Sequence, residues 1–209
     1  RANNTQRHSF GHGIHIDMEW SGDDVIGKVE CPHPPYPAKF SEIKIENKAH
    51  ETAFKLLNSE NAFVRFSAVG MLTALGTDVV EEIVERLLAT DHIGYHRDAM
   101  EVLHTLMVSK QITSAHAKLL ARLLACKVAE TRTVIADDFG VFVIYGAETE
   151  LSAALKDADA SVRRYAITAL LNLGRASNDK ALYSAADLLS GVKRIAESDP
   201  SEDVRRVAV

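Results

Sequence analysis

The first 33 residues carry five side chains able to bind a borderline metal: His8, His12, His15, Cys31 and His33. Imidazole nitrogens and a thiolate are the donors a tetrahedral zinc takes, and His8-x-x-x-His12-x-x-His15 with Cys31-Pro-His33 could supply three or four of them. The spacing matches no finger or ribbon, and no Cys-x-x-Cys pair exists. Surface histidines on a strand are the competing reading, so metal is left as a weak candidate and no cofactor is expected. A second constellation is Asp137-Asp138, two adjacent carboxylates inside an otherwise apolar run. A carboxylate in apolar surroundings has its pKa pushed up and can act as an acid or base. The simpler alternative has both acids facing a concave surface or pairing with Arg132 or Arg163. His92-x-x-x-His96 has Gly94 between its members and reads as the polar rim of a turn. No nucleophile elbow or Gly-rich phosphate loop is present, and neither Cys31 nor Cys126 sits in an activating motif.

The elements that would position these groups change in kind along the chain. From Ile14 to Trp20 apolar and polar residues alternate strictly, the period of a half-buried strand. Ser21-Gly22-Asp23-Asp24 is turn chemistry, and Val25–Cys31 can return as the second strand of a hairpin. Residues 32–37 hold four of the five prolines and must be extended. Past Asn47 the apolar period becomes helical, with one stripe at Val79, Val80, Ile83, Val84, Leu87 and Leu88 and another at Leu119, Leu120, Leu123 and Leu124. Breaks at Asn58-Ser59, Gly76-Thr77, Thr90-Asp91, Gly146, Gly174 and Asp199-Pro200 separate helices short enough to pack as antiparallel neighbours. The β-branched and aromatic stretch Thr133–Tyr145 would suit a strand, but its length and position favour a buried helix.

The strongest signal is a repeat. Val64-Arg65-x-x-Ala68-x-x-x-Leu72-x-x-Leu75-Gly76 recurs as Val162-Arg163-x-x-Ala166-x-x-x-Leu170-x-x-Leu173-Gly174 and begins again as Val204-Arg205-x-x-Ala208. An Asp precedes the last two copies by five residues, at Asp157 and Asp199. Degenerate copies start at Tyr95-His96 and Thr131-Arg132, giving starts 31, 36, 31 and 42 residues apart, close to one helical hairpin per repeat. The small Ala lets helices approach and the Leu positions fill the seam; the Asp can cap a helix start.

This pattern resembles the HEAT-repeat (armadillo-like) family over about residues 47–209. The resemblance implies an all-α superhelix of about five helical hairpins, residues 46–209; the alternation and prolines before it place a β-hairpin and Pro-rich extension over 1–45. It also implies that the motif Arg bridges to the Asp of a neighbouring repeat. Ser59, Thr90 and Cys126 stand where three copies would need that Asp, so an unbroken ladder is not expected.

The same resemblance implies a non-catalytic scaffold that grips a protein or peptide in its concave face, an inhibitor or immunity-type protein being one version. The partner-binding set would be Arg65, Arg132, Arg163, Arg164, Arg205, Asp137 and Asp138. Two alternatives share the architecture: HEAT-like glycosylases that excise alkylated bases, and HEAT-like lyases that attach bilin chromophores to light-harvesting proteins. A net charge of −5, with the only Trp at position 20, disfavours nucleic acid and suits a basic or neutral protein partner. The longest apolar runs, such as Val141–Tyr145, are too short to span a bilayer. Two distant cysteines fit free thiols in a reducing cytoplasm.

Overall fold

The computed structural model describes the backbone of residues 4–10, 14–21, 24–30 and 43–45, and the chain with its side chains over 50–177, 192–195 and 197–208. His12, Cys31 and His33 lie outside the described residues, as do the side chains of His8 and His15, so the metal candidates are not placed. The chain divides into two compact units, Arg1–Val79 and Val80–Val209.

In the first unit the backbone follows β1 (Asn4–Phe10), β2 (Ile14–Ser21), β3 (Asp24–Glu30) and β4 (Ile43–Ile45), antiparallel in sequential order. Two helices follow, α1 (Ala49–Leu57) and α2 (Ala62–Leu75). Asn61 caps α2 by accepting the Phe63 amide at 2.9 Å. Gly76 ends it at φ 70°, a backbone state that a side chain would resist. Ala53, Phe54, Leu57, Ala68 and Leu72 are fully buried between the pair. The stretch Ala62–Ala89 is apolar and long enough to cross a membrane by length and composition, a test that core helices also pass.

The second unit is a stack of helical hairpins, a solenoid-type fold. Its helices are α3 (Val80–Ala89), α4 (Ile93–Val108), α5 (Ala117–Ala121, followed by a 3-10 turn Arg122–Ala125), α6 (Ala129–Val141), α7 (Glu148–Ala154), α8 (Ala160–Ala176) and α9 (Glu202–Val207). Residues 192–195 and 197–198 are also helical. The β-branched stretch is helix as far as Val141; the chain then turns, with Val143 at φ 53°. Gly174 breaks nothing, because α8 runs through it to Ala176. No Asp stands at the cap of α4. His92 takes that place and its Nδ1 accepts the Tyr95 amide at 3.1 Å.

Helices α6 and α8 approach so closely that a Cβ at Gly140 would lie 2.6 Å from the Cα of Ala169. The apolar motif positions are sealed within the stack: Ala99, Leu103, Leu106, Ile135, Phe139, Val162, Ala166 and Leu173 are all 0% exposed. Small residues set the interhelical distance and the large ones fill the layer beside it.

One hydrogen bond recurs in all five motif copies among the described residues. The motif side chain donates to the backbone carbonyl six residues earlier: Arg65 to Ser59 at 2.9 Å, His96 to Thr90 at 2.9 Å, Arg132 to Cys126 at 2.8 Å, Arg163 to Asp157 at 2.8 Å, and Arg205 to Asp199. It ties each second helix to the turn that leads into it. Because a carbonyl only accepts, His96 must carry its proton on Nε2, so Nδ1 accepts the Thr131 hydroxyl at 2.7 Å. In the second unit Arg132 and Arg163 use their remaining N–H groups on the next repeat. They hold Asp157 at 2.8 and 2.9 Å and Asp199 at 2.8 and 2.8 Å, two bidentate forks.

Sequence reasoning offered Asp157 as a helix cap. The cap of α8 is Asp159, bonded to Ser161 and Val162, while Asp157 accepts the Asp159 amide and the Arg132 fork. The rungs close wherever an Asp follows, even though three repeats lack one.

Both rung carboxylates titrate below the usual range. Asp199 is lowered chiefly by Arg163; at Asp157 burial pushes upward, and the Arg132 hydrogen bonds together with the Asp159 amide more than reverse it. Lowered folded values mean the rungs contribute fully above the unfolded carboxylate pKa and are lost as pH falls below it. Replacing Arg163 by Met should therefore cost about 3 kcal/mol near neutral pH, since it strands a buried charge. The penalty should shrink in acid, as read by urea denaturation at pH 7 and pH 3. Gly140→Ala should lower the melting temperature despite the better helix propensity of Ala, because overpacking costs about 1–3 kcal/mol against a gain of at most about 1.

Candidate functional site

Helices α4 and α6 leave an open groove of about 240 Å³ between them, within the second unit. Met100 and Val134 give it an apolar floor; Arg97, Glu101, Glu130 and His104 give it a charged rim. The groove exists because both helices are held at one register by His96, whose ring spans from Thr90 to Thr131.

His104 is the group in the groove best placed for chemistry. Its Nδ1 lies 3.1 Å from Oδ1 of Asp138, and its ring packs edge-on against Phe142 with centroids 5.2 Å apart. The imidazole is half-exposed, whereas the carboxylate behind it is 3% exposed. Asp138 Oδ2 is buried and makes no hydrogen bond. Burial pushes the Asp138 carboxyl up to about 6, against the opposing pull of His104. With Nδ1 occupied by Asp138, Nε2 is the ring nitrogen left to act in the groove. A carboxylate that fixes an imidazole in this way selects its tautomer and stabilises its cation, the orientation that general acid–base catalysis needs.

Asp137, the neighbour in sequence, is half-buried; desolvation raises its pKa, and Arg164 and His104 oppose the rise. Arg164 is exposed and lies over the Tyr165 ring at 5.1 Å. The structure thus brings Asp137, Asp138 and Arg164 together with His104 across α4, α6 and α8. Neither aspartate pairs with Arg132 or Arg163. Those two arginines, with Arg65 and Arg205, bond the backbone of their own repeats. Among the described residues no three His, Cys, Asp or Glu side chains form a metal-binding group. Cys126 is buried and donates its thiol to the Leu87 carbonyl at 3.4 Å.

Sequence reasoning missed His104. It stands 34 residues before Asp138, close to the repeat spacing, so equivalent faces of neighbouring repeats bring the two together. Aligning the repeats on the polar interruptions of their stripes, not on their apolar positions, would have paired them.

No protein-family profile matches the chain, and no curated protein matches it in sequence. A solved structure does share its fold. A chain of the complex of CpcE and CpcF of phycocyanin lyase from a Nostoc species is similar over 76% of this chain and 94% of its own length, with 17% identity and a TM-score of 0.54. An engineered protein is similar over 76% of this chain and 75% of its own, with 20% identity and a TM-score of 0.46. The first match overturns the expectation that this architecture is non-catalytic, because a chain of a lyase complex has the same kind of fold.

Raising the Asp138 pKa has a stability consequence. The unfolded chain ionises near 3.8 and the folded one at about 6, so this group favours folding in acid and the benefit is lost as pH rises between those values. Asp138→Asn should match the wild type at pH 4 and exceed it at pH 8 by about 2–3 kcal/mol, since a tenfold change in proton affinity corresponds to about 1.4 kcal/mol. Paired denaturant titrations at the two pH values measure it. A variant that loses stability equally at both would show that the carboxylate is structural.

Proposed function

We propose that this chain is a HEAT-type protein of the bilin lyase kind, which seats one end of an open-chain tetrapyrrole in the α4–α6 groove for attachment to, or release from, a protein thiol. The observation that carries the reading is the His104–Asp138 couple at an open groove with an apolar floor. The fold shared with a chain of phycocyanin lyase makes this chemistry the one to test first.

Attachment is an addition. The S–H bond of a cysteine and one C=C π bond of the bilin are broken, and an S–C and a C–H bond form, with no change in total oxidation state. The step requires a base to take the thiol proton and an acid to protonate carbon. His104 at Nε2 suits the first task, with Asp138 holding its tautomer and stabilising the imidazolium that results; the same imidazolium can return the proton. Elimination runs the sequence backwards through the same two residues. Arg97, exposed at the rim, suits a propionate of the ligand, and the floor of Met100 and Val134 suits the flat face of the conjugated rings.

The groove, at about 240 Å³, is smaller than the roughly 300–1,000 Å³ of ordinary ligand pockets. It holds part of such a molecule, and the remainder must lie against a protein partner. Gripping a protein is therefore part of the same reading. The acid–base couple sits on the face that the partner would cover, where excluding water strengthens it.

Titration of the purified chain with phycocyanobilin, followed by visible absorbance, should give a saturable red shift and a stretched chromophore band. His104→Gln should leave binding within about threefold while abolishing covalent transfer to apo-phycocyanin, assayed by zinc-induced fluorescence in denaturing gels; a loss of at least about 100-fold is the scale of a removed general base. An absent spectral response, or equal transfer by wild type and variant, would remove the reading.

A further inference from the structure

Helix α6 ends early in its repeat, and its last turn borders the groove. The motif closes on Leu75-Gly76 in the first copy, Leu106-Met107 in the second and Leu173-Gly174 in the fourth; in the third, Phe142-Val143 stand at those places. Helices α4 and α8 run straight through the position, and Leu106 and Leu173 are 0% exposed in the apolar seam. Helix α6 stops at Val141 instead, and Phe142 is only half-buried. Its ring lies against His104, with centroids 5.2 Å apart and planes inclined at 69°.

The departure is enforced at Val143. Its φ is 53°, on the positive side where the equivalent Gly76 sits at 70°. Glycine takes such a step freely. A β-branched residue there is an outlier, its Cβ crowding the backbone carbonyl that follows. Contacts downstream hold the strained step in place. The Ile144 amide donates to the Phe139 carbonyl at 3.0 Å, and the Ile144 side chain is 2% exposed. The Tyr145 amide donates to Ser114 Oγ at 3.0 Å. Upstream, the Phe142 amide donates to the Asp138 carbonyl at 3.0 Å, which sets Asp138 and Phe142 one turn apart on one side of α6. Both α6 groups that meet His104 therefore come from a single turn. Strain retained where a glycine would close the same turn without it points to function.

We infer that Phe142 is a positioning residue: the strained turn at Val143 holds its ring out of the seam and against His104, seating the imidazole on Asp138. The hydrogen bond to Asp138 fixes Nδ1 but leaves the ring able to swing about that contact. An aromatic wall at this separation is attractive and limits the swing. The inference rests on the His104–Asp138 couple and so on the reading above, but its test needs no bilin, and the two can fail separately.

Carbon-13 NMR of the aspartate carboxyl groups in the full, ligand-free chain reads the seat. His104 lowers the Asp138 carboxyl, against burial and the anionic Asp137 and Glu101, which raise it; Arg164 acts on Asp137. Phe142→Leu restores the residue of the other copies, so the seam accepts it. It should lift Asp138 above about 6 by roughly half a unit or more, the scale of one lost hydrogen bond. A merely structural defect moves the group the other way, because water reaching the carboxyl brings it down toward about 4. Phe142→Tyr keeps the ring and should leave Asp138 at about 6. Val143→Gly relieves the turn and frees Phe142, so the melting temperature should rise by about 2 °C while Asp138 rises as well. An Asp138 that stays at about 6, or falls, in Phe142→Leu overturns the positioning role. A Val143→Gly chain that melts lower than the parent, or melts higher with Asp138 unmoved, overturns the part assigned to the strained turn.

Discussion

The hydrogen bond from the motif side chain to the carbonyl six residues behind it is the constraint on which the rest depends. It occurs with arginine in four repeats and with histidine in one, always between a helix and its entry turn. A turn pinned in this way has few ways to present its own side chains. Where it contains an aspartate, the carboxylate is aimed at the preceding repeat's guanidinium, and the fork closes at 2.8–2.9 Å. Local geometry therefore creates the long-range rung. A charge-assisted bidentate pair then fixes the angle between hairpins more sharply than Leu and Ala packing would alone.

The histidine variant of this contact has a consequence at the groove. An arginine at position 96 would carry a permanent charge beneath the α4–α6 groove. Histidine reaches both Thr90 and Thr131 from one ring that is 2% exposed. The buried carboxylate beside that groove, Asp138, faces His104 instead, and its pKa is set by burial before any partner. The two kinds of titration act oppositely on stability. Asp157 and Asp199 favour the fold at neutral pH, whereas Asp138 works against it there.

Periodicity carried the helices well. Apolar stripes at Val79–Leu88 and Leu119–Leu124 became largely buried faces, and the Val-Arg…Ala…Leu motif located the second helix of each hairpin. The rungs at Arg132 and Arg163 were legible because the motif names both partners. Less was legible of the site. Asp138 stood out as a charge in an apolar run, but its partner lies 34 residues away on another helix, and only stacking brings them together. Gly174 looked like a stop, yet a glycine late in a helix stops it only when the backbone turns to positive φ, as at Gly76. The reading of the fold as catalytically inert rested on missing nucleophile motifs, and the likeness to a chain of a lyase complex overturned it.

Function, on the reading proposed above, comes down to an imidazole–carboxylate couple poised for proton transfer where a bilin would sit. Carbon-13 NMR of the aspartate carboxyl groups, titrated from pH 3 to 9 with and without phycocyanobilin, tests this most directly. Asp138 should titrate at about 6 in the free protein, well above the rung aspartates, and its resonance should move when the bilin binds. An Asp138 that titrates with the ordinary carboxylates, at about 4, and does not respond to the ligand would contradict it.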